Sequence, residues 1–219
     1  MTKGKGKMSL YLDSAIISEA KIASKFGWVK GITTNPTLLA KSDLSPAETL
    51  LKLKEVIAGE LYYQVTASDF EGMVKEGKAA FELIGSQTVL KIPATPVGFE
   101  VVAHLSPHIN CSVTAIYSPA QAVVAMEAGA KYAIAYVNRA TRLLGDGLGL
   151  VREMASVVAG SPTKILAASV KSPLEAVETL KAGAHCLTLP LAVLEAMAVH
   201  ELSEKTVEEF AKNGLGIFD

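Results

Sequence analysis

The stretch Thr88-Val-Leu-Lys-Ile-Pro93 has the composition of a β-strand that is buried on both faces, as the strands of parallel sheets are. A charged residue, Lys91, stands in its middle, where the apolar pattern predicts another hydrophobic side chain. Burial removes water from an ammonium group and lowers its pKa, and the neutral amine is a nucleophile towards carbonyl carbon. Two other interpretations of Lys91 stay open at this point: a structural ion pair, or a lysine whose head group reaches water at the strand end.

Seven further segments of the chain resemble this strand, and helical patterns separate them. The predicted strands cover residues 9–13, 31–34, 61–66, 88–93, 109–114, 132–137, 164–169 and 185–189. The predicted helices cover residues 18–26, 46–58, 70–84, 97–105, 119–128, 148–158, 173–182 and 191–197, and an extra C-terminal helix covers about 203–212. Eight strand–helix units in a chain of this length are typical of an α/β fold in which a parallel sheet closes into a (β/α)8 TIM barrel.

An open, doubly wound sheet is the competing fold. Such sheets place a glycine-rich phosphate-binding turn after the first strand, and no G-x-G-x-x-G sequence follows residues 9–13. The glycine cluster Gly145-Asp146-Gly147-Leu148-Gly149 lies far along the chain, and we interpret it as a loop and not as a dinucleotide site. The closed barrel is therefore the predicted fold.

Composition and charge exclude several classes of protein. The chain has 219 residues, 50% of them hydrophobic, which fits a single domain over residues 8–219. Its 21 basic and 22 acidic residues give a net charge of −1, so nucleic acid is not an expected partner. No apolar run is long enough to span a membrane. Residues 1–7 are basic and lack a following apolar run, and we interpret them as a disordered or tag-like tail.

The two cysteines lie far apart in apolar, strand-like runs. We expect Cys111 and Cys186 to be buried, reduced thiols. Thiols of this kind are typical of cytoplasmic proteins, and a cytoplasmic location is the prediction.

Polar side chains follow almost every predicted strand. The carboxyl ends of the strands of a (β/α)8 barrel meet on one face, where active sites form. Each side chain has an ordinary explanation by itself, such as a helix cap or a turn residue, but one shared site explains all of them together. The polar residues at these strand ends are Asp13, Thr33, Asn35, Gln64, Lys91, Thr114, Tyr136, Asn138, Arg139, Ser169 and Lys171.

This set of side chains suits two kinds of chemistry. A carboxylate at Asp13 would donate and accept protons near Lys91, as the reaction of an amine with a carbonyl group requires. Arg139, Ser169 and Lys171 lie beyond the sixth and seventh strands, next to the usual phosphate-binding position of such barrels. A guanidinium group, a hydroxyl and an ammonium group suit a phosphate dianion.

A metal-dependent mechanism is the alternative to a lysine nucleophile. The chain has four histidines, and His104 and His108 have a spacing that binds zinc when both lie on one helix. Pro107 breaks the helix between them, and no acidic residue stands directly beside the pair. We therefore expect no metal and no cofactor, and we expect Schiff-base chemistry at Lys91.

Five segments of the sequence resemble motifs of the small transaldolases, a family that includes the fructose-6-phosphate aldolases. The resemblance runs in order over residues 8–212, and the second and third segments together make it specific. The segments are Leu10-Tyr11-Leu12-Asp13, Gly31-Ile32-Thr33-Thr34-Asn35-Pro36-Thr37-Leu38, Val89-Leu90-Lys91-Ile92-Pro93, Tyr136-Val137-Asn138-Arg139 and Ala167-Ala168-Ser169.

The resemblance implies a (β/α)8 barrel and a role for each strand-end residue. Lys91 would form the Schiff base, and Asp13 would move protons and contact substrate hydroxyl groups. Thr33 and Asn35 would hold polar groups of the donor sugar. Thr114 would help to hold a catalytic water.

The resemblance also implies a phosphate site and an assembly. Arg139 and Ser169 would bind the phosphate of a small phosphorylated sugar, which is the expected partner. Members of the family are homo-oligomers, often pentamers or decamers, in which the C-terminal helix packs on a neighbouring subunit. The predicted helix at about 203–212 suits that role.

Two positions bear on the subtype that the resemblance implies. Typical transaldolases have a glutamate at the end of the third strand and a phenylalanine on the sixth strand. This chain has Gln64 and Tyr136, the pair that fructose-6-phosphate aldolases have. Ala135 and Ile134 depart from the aldolase pattern of a proline and a smaller residue, which affects the acceptor preference and not the lysine chemistry.

The sequence therefore predicts a class I aldolase that reversibly cleaves fructose 6-phosphate into dihydroxyacetone and glyceraldehyde 3-phosphate. One alternative is a transaldolase that transfers a dihydroxyacetone unit from sedoheptulose 7-phosphate or fructose 6-phosphate to an aldose phosphate. A more remote alternative is a phosphosugar-binding barrel without catalytic activity.

Overall fold

Eight parallel strands form a closed barrel in the computed structural model, which describes residues 8–217. Each strand pairs with the next strand in sequence, and β8 pairs with β1 to close the barrel. The prediction of a (β/α)8 barrel is confirmed. The strands are β1 Ser9–Asp13, β2 Val29–Thr33, β3 Glu60–Gln64, β4 Thr88–Pro93, β5 Asn110–Ile116, β6 Tyr132–Tyr136, β7 Lys164–Ala168 and β8 Cys186–Leu189.

Helices connect the strands and surround the barrel. They are α1 Ile17–Lys25, α2 Pro36–Leu39, α3 Pro46–Val56, α4 Phe70–Ile84, α5 Pro96–Leu105, α6 Pro119–Glu127, α7 Val137–Leu144, α8 Gly147–Val157, α9 Pro173–Lys181, α10 Leu191–Met197 and α11 Glu201–Asn213.

Local sequence fixes where many of these helices begin. Five of the helices in the described part of the chain start with a polar N-cap residue followed by proline, whose φ angle suits the first helical turn. In each of them the N-cap side chain accepts a hydrogen bond from a backbone N–H of the first turn. The N-cap residues are Asn35, Ser45, Thr95, Ser118 and Ser172.

Alternation along the strands separates the barrel interior from the core under the helices. On β1, Leu12 belongs to the larger hydrophobic core, whereas Tyr11 belongs to a second, smaller cluster. On β4, Leu90 belongs to the larger core and Val89 to the smaller cluster. Successive side chains of a strand point to opposite faces, so Lys91 shares the inward face of Val89.

A carboxylate and three tyrosines fill the amino-terminal end of the barrel. Glu60, the first residue of β3, accepts hydrogen bonds from the hydroxyl groups of Tyr11, Tyr62 and Tyr132 at 2.7, 3.2 and 2.9 Å. Lys131 Nζ lies 2.7 Å from the other carboxylate oxygen of Glu60. Burial acts to raise the pKa of Glu60, but Lys131 and the tyrosine hydroxyls lower it below its ordinary value. We call these five residues the floor cluster.

The segment after β6 differs from the sequence prediction. The pattern leaves residues 138–147 unassigned, but α7 begins at Val137, directly after the strand. Asn138 and Arg139 therefore lie on the first turn of a helix and not on a loop. No side chain caps the amino terminus of α7, so the sequence contains no signal for its start.

Residues 145–149, interpreted as a loop, lie where α7 ends and α8 begins, and α8 starts one residue before the helix predicted over 148–158. Gly145 ends α7 with a left-handed φ of 89°, which glycine adopts without strain. The Asp146 side chain then accepts a hydrogen bond from Gly149 N at 2.7 Å, and α8 begins at Gly147. An N-cap aspartate starts this helix although glycines follow it.

Both cysteines are buried and free, as predicted. Burial raises the pKa of Cys111 to about 12 and that of Cys186 to about 11. The C-terminal helix predicted over about 203–212 is α11, and none of its residues is buried. Among residues 8–217 no helix has the length and apolarity to cross a bilayer. The predicted tail, residues 1–7, lies outside the described residues.

Candidate active site

A cavity of about 380 Å³ opens at the carboxyl ends of the strands. In barrels of this type, that end carries the active site. Eight of the eleven residues singled out from the sequence line the cavity: Asp13, Asn35, Gln64, Lys91, Tyr136, Arg139, Ser169 and Lys171.

Lys91 lies at the bottom of this cavity. Its side chain is only 3% exposed, and Nζ donates a hydrogen bond to the backbone oxygen of Thr34 at 3.0 Å. The partner is a neutral carbonyl group, and the head group does not reach bulk water, which disfavours both structural interpretations of this lysine. Burial lowers the pKa of Lys91 from 10.5 to about 8, against the opposing effect of the negative charge on Asp13. About one lysine in ten is then a neutral amine at pH 7.

Asp13 ends β1, and its backbone is in register with Thr33 at the end of β2. Thr33 Oγ1 donates a hydrogen bond to Asp13 Oδ1 at 2.9 Å. Thr33 itself is buried and lies behind the cavity wall. The carboxylate is thus held at the mouth of the barrel, close enough to Lys91 for its charge to act on the lysine pKa.

Three neutral polar groups come from β3, β5 and β6. Thr114 Oγ1 and Tyr136 Oη form a hydrogen bond of 2.7 Å. Burial raises the pKa of Tyr136, although the Thr114 bond and the charge of Arg139 act in the opposite direction. Gln64 is in register with Lys91 on the neighbouring strand, and its Oε1 is buried without a hydrogen-bond partner in the protein. Gln64 therefore offers a free acceptor to a molecule in the cavity, whose wall it forms.

The outer wall of the cavity is basic. The Arg139 guanidinium lies 5.0 Å from the centre of the Tyr136 ring. Ser169 follows β7 with a left-handed φ of 58°, and its backbone oxygen accepts a hydrogen bond from Asn138 N at 3.0 Å. Lys171 N donates to Glu175 Oε2 at 2.6 Å, which ties the following loop to α9. Two cationic side chains and a hydroxyl thus line one side of the cavity.

Three predicted residues do not line the cavity. Thr33 and Thr114 are buried behind it, where they bond Asp13 and Tyr136. Asn138 bonds the Ser169 backbone through its own backbone N–H. Four wall residues were not predicted from the sequence: three follow the turn at Asn35, and one belongs to β7. They are Pro36, Thr37, Leu38 and Ala168.

Asn35 has a structural role as well as a place in the cavity wall. Its Oδ1 accepts a hydrogen bond from Leu38 N at 3.0 Å and so caps α2. Because α2 is only four residues long, the sequence pattern gave no helix there. The cap holds Pro36, Thr37 and Leu38 in the cavity wall. The sequence signal for these three wall residues was their position in the segment 31–38, which resembles a family motif.

The described residues contain no cluster of three or more histidine, cysteine, aspartate or glutamate side chains that could hold a metal ion. His104 lies near the end of α5, and the helix stops at Leu105. His108 follows Pro107 beyond that end, so the two imidazoles do not share a helix.

Cleavage of a carbon–carbon bond through an imine needs an amine that is neutral near pH 7 and, beside it, a group that moves a proton. Lys91 and Asp13 meet these two requirements at the mouth of the barrel. This pair is what enzymes that work through a Schiff base, the aldolases and transaldolases, require.

Comparison with known proteins identifies the family. The family model described as Transaldolase/Fructose-6-phosphate aldolase matches residues 10–217. The chain is 36% identical over 210 residues to a probable transaldolase of Nitrosopumilus maritimus, covering 94% of each protein. It is 38% identical over 207 residues to a probable transaldolase of Exiguobacterium sibiricum, covering 93% of this chain and 96% of that protein. The chain belongs to the transaldolase/fructose-6-phosphate aldolase family.

Solved structures of more distant proteins share the fold alone. A mandelate oxidase variant with 2-hydroxy-phenylacetamide superposes with a TM-score of 0.60 at 15% identity, over 92% of this chain and 70% of that one. A second mandelate oxidase variant, with a monooxide FMN adduct, superposes with a TM-score of 0.60 at 17% identity, over 94% of this chain and 71% of that one. These similarities are to the barrel and not to its chemistry.

Proposed function

We propose that this enzyme is a fructose-6-phosphate aldolase, which cleaves fructose 6-phosphate reversibly into dihydroxyacetone and glyceraldehyde 3-phosphate. Membership of the family makes it an enzyme of the Schiff-base type acting on phosphorylated sugars. The observation that carries the finer proposal is the neutral set Gln64, Thr114 and Tyr136 at the mouth of the barrel.

The reaction begins at Lys91. The neutral amine attacks the C2 carbonyl of the ketose. Asp13 delivers a proton taken from solvent to the carbinolamine hydroxyl, which leaves as water, and the imine that remains is protonated on nitrogen. Asp13 then takes the proton of the C4 hydroxyl. The C3–C4 bond breaks, its electron pair moves towards the iminium nitrogen, and glyceraldehyde 3-phosphate leaves. The product on Lys91 is the enamine of dihydroxyacetone.

The phosphate of the substrate binds at the basic outer wall. Arg139, Ser169 and Lys171 supply a planar guanidinium, a hydroxyl and an ammonium group there. Lys91 is buried at the bottom of the same cavity. One sugar can therefore place its C2 at Lys91 while its phosphate contacts the basic outer wall.

The fate of the enamine separates an aldolase from a transaldolase. In an aldolase the enamine carbon takes up a proton, and water hydrolyses the imine to release dihydroxyacetone. Tyr136 can donate that proton, and Gln64 Oε1 can hold the attacking water by a neutral hydrogen bond. Thr114, buried behind the cavity wall, orients the Tyr136 hydroxyl through their hydrogen bond. A transaldolase must instead keep the enamine until an acceptor aldehyde arrives.

The test is an assay with fructose 6-phosphate alone, in which release of glyceraldehyde 3-phosphate is coupled to a reporter. We expect sustained release without any acceptor and a covalent adduct on Lys91 when borohydride is added. Dihydroxyacetone is measured in parallel as the second product. Release that continues only when erythrose 4-phosphate is supplied would show that the enzyme is a transaldolase. The absence of a borohydride adduct would show that the barrel binds the sugar without forming a Schiff base.

Transaldolase activity is the second candidate, because the curated relatives are named probable transaldolases. The double substitution Gln64→Glu with Tyr136→Phe replaces a neutral acceptor by a base and removes a proton donor. We expect it to raise the ratio of transfer to hydrolysis by at least about tenfold. An unchanged ratio would mean that these two residues only pack the mouth of the barrel.

We also propose that the enzyme is a cytoplasmic homo-oligomer, a pentamer or a decamer. Helix α11 supports this, because Leu202, Val207 and Phe210 are each at least 65% exposed on it. Sedimentation velocity of the full chain measures the mass of the assembly. Truncation before Glu201 should lower the number of subunits that this mass corresponds to. A full-length monomer at micromolar concentration would refute the assembly.

A further inference from the structure

Thr188, on β8, is a polar residue of the barrel interior that the sequence pattern did not mark as part of the site. Its Oγ1 lies 2.6 Å from Thr33 Oγ1. Strands β2 and β8 are not neighbours, because each pairs with a different side of β1. The bond between Thr33 and Thr188 therefore crosses the inward face of β1, the strand that ends in Asp13.

The proton positions in this chain of hydrogen bonds follow from what each group can donate. Thr33 Oγ1 donates to Asp13 Oδ1, because a carboxylate oxygen only accepts. A hydroxyl group has one proton, so Thr33 must accept in its bond to Thr188. Thr188 is therefore the donor, and both hydroxyl dipoles point towards the carboxylate.

Burial makes this arrangement hard to replace. Thr33 is 1% exposed and Thr188 is 2% exposed, so bulk water cannot supply a substitute donor. Without the Thr188 hydroxyl, the Thr33 hydroxyl keeps its bond to Asp13 but loses the second bond that restrains it. Among the described residues, Thr33 alone donates a hydrogen bond to the Asp13 side chain. A Thr33 hydroxyl that is restrained only by its bond to Asp13 therefore holds that carboxylate less firmly.

We propose that Thr188 is a positioning residue of the aldol reaction: through Thr33 it holds the Asp13 carboxylate where that group exchanges a proton with the ketose on Lys91. The inference rests on the proposed function of the site. Thr188 touches neither the substrate nor the lysine, and it acts on the proton-transfer step through two hydrogen bonds. Its removal lowers kcat and leaves substrate binding almost unchanged.

The main test compares Thr188→Val with Thr179→Val as a matched control. Thr179 lies on α9, is fully buried, and its Oγ1 has no hydrogen-bond partner, so the same substitution there breaks no bond. We expect Thr188→Val to lower kcat for fructose 6-phosphate about tenfold, with KM changed less than about twofold. Thr179→Val should match the wild type in both constants.

A second pair of variants guards against a folding defect at position 188. Thr188→Ser and Thr188→Ala both remove the methyl group and differ in the hydroxyl group. The serine variant should keep at least half of the wild-type kcat, and the alanine variant should show the tenfold loss. Equal kcat values for the serine and alanine variants would overturn the proposal.

A double-mutant cycle tests the route through Thr33. If Thr188 acts only by fixing the Thr33 hydroxyl, then Thr33→Val and the double variant with Thr188→Val have the same kcat. Additive losses would contradict the route. A wild type that forms no borohydride adduct with fructose 6-phosphate refutes the proposed function itself. An active wild type with a fully active Thr188→Val variant refutes only the positioning role.

Discussion

At Lys91 the burial that lowers the pKa of the amine also costs stability. Because its pKa in the folded protein is lowered from 10.5 to about 8, the charged form is disfavoured in the fold, and this cost is fully present below pH 8. The cost shrinks as the pH rises from 8 to 10.5 and is absent above that range. It amounts to about 3 kcal/mol for a shift of this size.

We therefore expect Lys91→Met to have two effects. The substitution removes the nucleophile and abolishes turnover, and at pH 7 it stabilises the protein by about 2 kcal/mol after loss of the bond to Thr34. Urea denaturation measures the gain, which should shrink above pH 8 and disappear before pH 10.5, because the lost bond to Thr34 still counts against the variant. Lys54→Met is the control, because Lys54 also donates to a backbone carbonyl but lies outside the barrel. Turnover by Lys91→Met would refute the Schiff-base mechanism.

The pKa of Lys91 also predicts the dependence of the reaction on pH. Only the neutral amine attacks the ketose, so kcat/KM should rise about tenfold per pH unit below 8 and level off above it. The measurement is a profile of kcat/KM for fructose 6-phosphate over about pH 6–10, a range that brackets the expected midpoint near pH 8. A profile that still rises about tenfold per pH unit up to about pH 10 would show that burial does not activate this lysine.

At the scale of elements, α7 carries the basic wall of the cavity directly after β6. Arg139 on its first turn lines the cavity, whereas Arg142, three residues later, is exposed and does not. Arg139→Ala should lower kcat/KM for fructose 6-phosphate about 10- to 100-fold, because a charge-assisted bond to phosphate is lost. Reactions of unphosphorylated substrates should change little.

Arg142→Ala is the matched control for that measurement, since it removes the same charge from the same helix. It should leave both kinds of substrate unaffected. If Arg139→Ala reduced the reactions of phosphorylated and unphosphorylated substrates equally, its contact with the Tyr136 ring would be its main function.

The elements also show what sequence reasoning can and cannot find. Strands of branched apolar residues and helices that start with a polar cap and proline have local signals, and these were predicted within a few residues. Helix α7 has no capping side chain and so has no such signal. Helix α2 has the polar cap and the proline at Asn35 and Pro36, but its single turn is too short to give a helical periodicity. Most of the residues that line the cavity were predicted from the polar side chains at the strand ends. The bond between Thr33 and Thr188 joins residues 155 positions apart, and no local pattern contains it.

For the whole molecule, the floor cluster links β1, β3 and β6 at the end opposite the cavity. The pKa of Glu60 is lowered in the folded protein, so its contribution to stability is present above the ordinary pKa of about 4.5. The contribution is lost as the pH falls through the lowered value. Charge-assisted hydrogen bonds are worth about 1.5–3 kcal/mol each, and burial makes them hard to replace.

We expect Glu60→Gln to lower the free energy of unfolding at pH 7 by about 1–3 kcal/mol. The difference from the wild type should shrink as the pH falls below about 4.5, because protonation then removes the charge from the wild type as well. Urea denaturation at several pH values measures this. Glu178→Gln, which breaks an exposed ion pair with Lys181, should change stability by less than about 0.5 kcal/mol. A constant difference at all pH values would mean that packing, and not charge, holds the floor together.

The floor cluster also sets the order in which molecules come and go. Side chains fill one end of the barrel, so substrates and products enter and leave through the opening beside Arg139. In the proposed reaction, the fragment bound to Lys91 would lie at the closed end of the cavity, behind the aldehyde fragment that carries the phosphate. The aldehyde would then leave before a second aldehyde takes its place, and the three-carbon fragment would leave last.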